Sequence, residues 1–225
     1  MPILESYRTE YSAVNLTADA GVDPERWNRM PDAKTIGKTA AAVSSRNVRV
    51  IHAGTGSEAL ATIRDLLPES ADVMNGYSTT LLEVGYDRLL AENPKNWRNC
   101  HAAITAEDDT EKRHALRRRS VTADYFLSGV QAIAESGKLV GCDKSGSRVG
   151  AWPHGAGRLI FVSGVNKIVP TLDAALARCR EHALPLENQQ TLRAYGVPSA
   201  IGKMMILEEE RIDGRTTLIT DRRGY

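Results

Sequence analysis

From Val48 onward, short apolar runs alternate with amphipathic ones, and this alternation constrains the fold more than any other feature of the 225 residues. VRVIHA (48–53) and ADVMN (71–75) have strand character. Between them SEALATIRDLL puts Ala59, Leu60, Ile63, Leu66 and Leu67 on one helical face. TLLEVGYDRLLAEN is helical, as is AEDDTEKRHALRR at 106–118. YFLSGV, KLVGC and RLIFVSG read as strands, and a helix starts near TLDAALARCREH. Such alternation predicts an α/β fold, a mainly parallel sheet with crossover helices. KMMILEE and RTTLITD at the end read as a hairpin-like pair or as two edge strands joined through Asp213-Gly214.

A chain of this length buries one sizeable core, so one domain (48–225) is expected behind an N-terminal helical extension (1–47). In the extension, Asp23-Pro24 and Pro31-Asp32 mark helix starts: an acidic acceptor suits the cap and proline suits the first turn. KTIGKTAAAVSS then runs helical toward Arg46-Asn47. This segment is expected to pack across the main domain or against a partner subunit, which makes a homo-oligomer one expected arrangement.

Charge narrows the functional classes. Twenty-nine basic residues against twenty-eight acidic ones give no global field to steer nucleic acid or a membrane surface, so anion recognition has to be local. Arg117, Arg118 and Arg119 end the helix that AEDDTEK begins and so complement its dipole, a simpler reading than a nucleic-acid patch. The longest apolar runs, such as LIFVSGV, fall far short of the ~20 residues a membrane helix needs. MPILESYRTEYS shows neither a secretion signal nor a transit peptide, and a cytoplasmic protein is expected. Cys100, Cys142 and Cys179 form no CxxC pair, and the five histidines show no HExxH spacing, so neither a metal site nor a cofactor is predicted.

Four stretches carry candidate chemistry. HAGTGSEAL (52–60) has the G-x-G-x-x-A spacing of a dinucleotide turn, but the following strand ends in MNGYS without the ribose-binding acid, which favours a plain glycine-rich turn. In MNGYSTTLLEVG, Asn75 and Gly76 close a strand, and Ser78, Thr79 and Thr80 offer three hydroxyls at a helix start, where an anion would sit well. A capping box formed by Thr80 and Glu83 explains part of the same stretch without a ligand. Lys167 follows RLIFVSG at a strand carboxyl end, beside Asn166, and is either an anion partner or a solvated turn lysine; Ser128 and Gly129, closing YFLSG, join the candidate set. Glu135 lies between AIA and SG with no lysine or arginine adjacent in the segment, so it reads either as a buried acid–base group or as an acceptor for turn amides.

VMNGYSTTLLEVG, RRRSVTADYFLSGVQAIAESGKLVGCDKSGSRVGAWP, RLIFVSGVNKIVPTLDAAL and YGVPSAIGKMMILE together resemble the LUD-domain family, which includes lactate utilisation protein C. The matching blocks cover roughly residues 55–225. The resemblance implies a three-layer α/β/α fold related to ribose-5-phosphate isomerase, glucosamine-6-phosphate deaminase and CoA transferases, with the site at the strand carboxyl ends. It also implies a cluster-free component in the oxidation of L-lactate to pyruvate, working with an iron–sulfur partner protein. A small anionic or carboxylate ligand would then lie among Asn75, Gly76, Ser78, Thr79, Glu135 and Lys167, with Glu135 and Lys167 as the reactive pair. A stand-alone isomerase or group-transfer enzyme acting on an anionic small molecule, and a non-catalytic sensor or scaffold, are the alternative expectations.

Overall fold

The computed structural model describes residues 13–221, so the reading of MPILESYRTEYS lies outside the described residues. Three helices lead in: α1 (Ala13–Ala20), α2 (Pro24–Trp27) and α3 (Ala33–Ser44). Asp23 caps α2 by accepting from the Arg26 amide, and Asp32 caps α3 by accepting from Thr35, as the two proline-flanked starts predicted. The segment is not isolated: α3 lies against the first strand, and Trp27 and Val43 are both buried in the core.

The alternation then unfolds as β1 (Arg49–Ala53), α4 (Gly56–Leu66), β2 (Asp72–Asn75), α5 (Thr79–Glu83), α6 (Tyr86–Glu92), β3 (Arg98–Asn99), α7 (Cys100–Ala106), α8 (Thr110–Ser120) and β4 (Tyr125–Ser128). One predicted helix, TLLEVGYDRLLAEN, is in fact a pair, and a short helix not foreseen, α7, precedes the one predicted over 106–118. Gly85 takes a left-handed φ of 89° and separates α5 from α6, a conformation that costs glycine least. Asp109, whose side chain accepts from Lys112, starts α8 afresh after α7.

Next come β5 (Ala132–Ala134), β6 (Leu139–Asp143), a π-helical turn (Ala151–Gly155), β7 (Arg158–Gly164), a 3-10 turn (Val165–Lys167) and β8 (Ile168–Val169). α9 (Leu172–Arg178) passes through a second π-helical turn (Cys179–Ala183) into α10 (Leu184–Tyr195), and β9 (Lys203–Leu207) and β10 (Thr216–Asp221) follow. The wide turn lies just before Pro185, which has no N–H to give to the preceding turn of helix.

Six strands form a parallel sheet in the order β1-β10-β7-β4-β2-β3, and four form a mixed sheet in the order β8-β5-β6-β9. Helices cover both faces of the large sheet, the three-layer α/β/α arrangement. Its strands send alternate residues to opposite sides: Phe126, Leu159, Phe161 and Leu218 to one core, Leu127, Ile160, Val162 and Ile219 to the other. RTTLITD corrects the terminal expectation. It is an inner strand between β1 and β7, buried along its whole length, while KMMIL lies at the edge of the other sheet, antiparallel to β6, so the two do not form a hairpin. A strand must be apolar toward both layers to be internal, and Leu218-Ile219 meets that requirement.

Candidate functional site

The strand order locates a crevice before any side chain is considered. β2 continues outward to β3, whereas β4 continues the other way to β7, so the connections diverge between β2 and β4. In open parallel sheets the carboxyl ends of such a pair frame the ligand site. Here the segment after β2 carries Tyr77, Ser78, Thr79 and Thr80, the segment after β4 carries Gly129, Val130 and Gln131, and the turn after β7 carries Lys167. Together with Arg148, Arg178, His182, Glu187 and Gln190 they line a cavity of about 100 Å3. A second lobe of about 230 Å3 lies beyond Tyr77, Arg148 and Glu187, bounded by Asp143, Lys144 and Ser199.

Close backbone approach holds the floor together. A Cβ on Gly129 would stand 2.8 Å from the Ser78 Oγ, so glycine lets the two segments meet without displacing that hydroxyl. Ser78 caps α5 by accepting from the Leu81 amide. This replaces the capping box expected of Thr80 and Glu83: Thr80 lies inside the helix, and its Oγ1 instead accepts from the Lys167 Nζ at 3.0 Å.

Three cations converge. The Arg148 Nη1 donates to the Tyr77 carbonyl at 3.1 Å and its Nη2 to the Cys142 carbonyl, while its Nε is buried without a hydrogen-bond partner. Its loop is pinned by Asp143, whose carboxylate accepts from the Gly146, Arg148 and Val149 amides. Arg178, 2% exposed, donates through Nε to the Trp27 carbonyl at 3.2 Å, through Nη1 to the Gln131 carbonyl and through Nη2 to the Asn28 Oδ1 at 3.4 Å. Every one of these acceptors is a neutral oxygen, so both guanidinium groups keep their full charge toward the cavity.

The charges act on one another. Burial pushes the Lys167 amine down to about 7, assisted by the positive charges of Arg178 and Arg148 and opposed by Glu83. Burial also lowers Arg178, to about 10, which leaves it a cation. His182, 2% exposed, is driven to about 3 by burial and then by Arg178 and Lys167, so its imidazole is neutral, and its Nδ1 has no hydrogen-bond partner. Burial raises the Glu187 carboxyl, reinforced by Asp143 and opposed by Arg148.

Of the residues singled out in the sequence, Ser78, Thr79, Thr80, Gly129 and Lys167 therefore share one cavity, and Lys167 is half-buried there with its amine bonded to Thr80. Gly76 lines the second lobe, and its amide extends the ladder to the Leu127 carbonyl. Asn75, Ser128 and Asn166 support the walls: Asn75 and Ser128 turn their side chains to the carbonyls of the next residue, and Asn166 donates to Asn28. Glu83 acts on Lys167 through its charge.

Glu135 lies elsewhere. It sits in the tight turn from β5 to β6, its amide donating to the Val169 carbonyl and its carboxylate 3.8 Å from Lys38 of α3. Gln131, which does line the cavity, is four residues of strand away, about 13 Å. Arg148, Arg178, His182 and Glu187 were missed because no local motif marks them; topology alone brings them to the crevice.

The glycine-rich turn before α4 is filled from within. The Glu58 carboxylate accepts from the Gly54 amide at 2.7 Å, and Thr55 accepts from the Glu58 amide, so a side-chain anion stands where a phosphate would stand in a dinucleotide turn.

The molecule is thus an α/β protein with a cationic cleft at the switch point of a parallel sheet. A family model for the LUD domain matches residues 36–212, and the chain belongs to the LUD-domain family, which is associated in general with lactate utilisation. Among solved structures it is similar to a DUF162 family protein from Deinococcus radiodurans, with 14% identity and a TM-score of 0.49 over 86% of this chain and 99% of that one. It is also similar to ribose 5-phosphate isomerase from Plasmodium falciparum, with 16% identity and a TM-score of 0.31 over 51% and 52% of the two chains. No curated protein matches the chain.

Proposed function

We propose that this LUD-domain protein binds a small organic monocarboxylate in the cleft and serves, in the cytoplasm, as the cluster-free component of L-lactate oxidation to pyruvate, with a separate iron–sulfur protein carrying the electrons. One observation carries the reading: Lys167, Arg148 and Arg178 face one small cavity in which Glu187 is the one acidic lining residue among the described residues, and the two guanidinium groups are hydrogen-bonded to neutral oxygens. Size agrees. On a scale where one water takes ~10–15 Å3, a cavity of about 100 Å3 suits a ligand of roughly seven to ten heavy atoms, room enough for a small monocarboxylate. The three dispersed cysteines provide no four-cysteine cluster motif, consistent with electrons being carried elsewhere.

The test is calorimetric titration with lactate and pyruvate, followed by reconstitution with the iron–sulfur partner. Binding by the wild type, weakened at least tenfold in Lys167→Met, and lactate-dependent dye reduction only in the combined system are expected. If neither acid binds and growth on lactate survives deletion, the reading fails.

A second reading, a self-contained isomerase or group-transfer enzyme, is favoured by the neutral His182 imidazole and the raised Glu187 carboxyl on the same cavity. The acid–base role anticipated for Glu135 passes to these residues in that case. Glu187→Gln should then abolish turnover of the true substrate while leaving its affinity near normal.

A further inference from the structure

Lys167 is placed for more than charge. Its amine is held at the cavity wall by a hydroxyl at 3.0 Å, and two buried side-chain atoms of residues lining the same cavity, the Arg148 Nε and the His182 Nδ1, lack a hydrogen-bond partner. An unpaired donor and an unpaired ring nitrogen on one small cavity mark places for ligand atoms, since buried polar groups are otherwise satisfied.

We propose that the Lys167 Nζ condenses with the carbonyl carbon of a small 2-oxo carboxylate to form an imine, while Arg148 receives the carboxylate and His182 hydrogen-bonds the carbonyl oxygen. The inference rests on the monocarboxylate reading above and adds a covalent step to it.

The step balances without any redox partner. The amine lone pair forms the C–N bond, and the carbonyl π pair moves to oxygen. One proton passes from the new ammonium to that oxygen through the Thr80 hydroxyl, which accepts it and gives up its own. A second proton, taken from solvent, then reaches the carbinolamine hydroxyl, so that the C–O bond breaks with its electron pair to release water while the nitrogen pair closes the C=N bond and leaves the nitrogen as a protonated iminium. Lysines become nucleophiles at neutral pH when they are desolvated beside other cations, which is the setting here: burial first, then Arg178 and Arg148, bring the amine to about 7. His182 stays neutral and adds no further positive charge. The resulting iminium is matched by the bound carboxylate and by Glu83.

The experiment incubates the wild-type chain with pyruvate and cyanoborohydride, digests it, and locates a carboxyethyl group by mass spectrometry. Lactate, which has no carbonyl, runs in parallel, and melting curves with each acid report binding. Near-complete labelling of Lys167, with the other lysines at background and no labelling by lactate, is expected. The labelling rate should rise several-fold from about pH 6 to 8 as the amine loses its proton, in a field set by Arg148, Arg178, Glu83, Glu187, Asp143 and His182. Lys167→Arg should keep the charge and lose the adduct. Melting shifts with both acids but no adduct at Lys167 would overturn the imine and leave anion binding standing. The absence of any shift or adduct would overturn both.

Discussion

Two residues set the character of the cleft. Lys167 holds its proton less tightly in the folded chain than in the unfolded one, so between about pH 7 and the ordinary lysine range near 10.4 the unfolded state carries more protons. Stability should therefore climb as pH rises through that window, and Lys167→Met should flatten the climb and raise the melting temperature at pH 7. Thermal melts across pH 6–10 check both outcomes. At Gly129 the chemistry is steric. A methyl group would press on the Ser78 hydroxyl, and Gly129→Ala is expected to cost about 1–3 kcal/mol, seen as a lower denaturant midpoint at unchanged slope. The sequence displayed Lys167 and the three hydroxyls because each lies next to a strand end. Glu135 drew notice for its apolar neighbours, yet those neighbours mark a short strand and its turn, and a pattern of neighbours cannot say which end of a strand faces the cleft.

Among the elements, β7 is the most legible: Arg158–Gly164 coincides with RLIFVSG because seven consecutive residues suit a strand buried on both faces. β5 was hidden, since three small and apolar residues between glycines look like a continuation of the strand before them. β10 illustrates how an element is stabilised from its approach. Arg215 and Glu210, both nearly fully buried, pair at 2.7 Å, and Thr216 donates to the same carboxylate. Burial by itself pushes the Glu210 carboxyl up, but bonds from Thr216, the Ile212 amide and Arg215 outweigh it and leave it below its usual range. With the folded value depressed, this stabilisation is complete above the ordinary glutamate pKa of about 4.3 and disappears as the pH falls through the folded value. Glu210→Gln should lose about 3–5 kcal/mol at pH 7 and show a shallower acid-unfolding curve than the wild type.

At the scale of the whole molecule, the cleft belongs to three distant parts of the chain: the strand ends of the large sheet, the loop through Arg148, and the α9–α10 region with α1 lying against it. Leu16 of α1 closes one wall. Deleting residues 1–20 should therefore weaken pyruvate binding at least tenfold while leaving the circular dichroism of the α/β body intact, a contrast that titration and spectroscopy report separately. Arg178 joins these parts most tightly, since one guanidinium grips Trp27 and Asn28 at one side and Gln131 at the other. An anion bound as proposed would compete for the remaining N–H groups of this guanidinium and so load the bonds it makes to both sides. Under the proposed anion binding, amide exchange at residues 24–28 would become a gauge of occupancy, readable far along the sequence from Lys167.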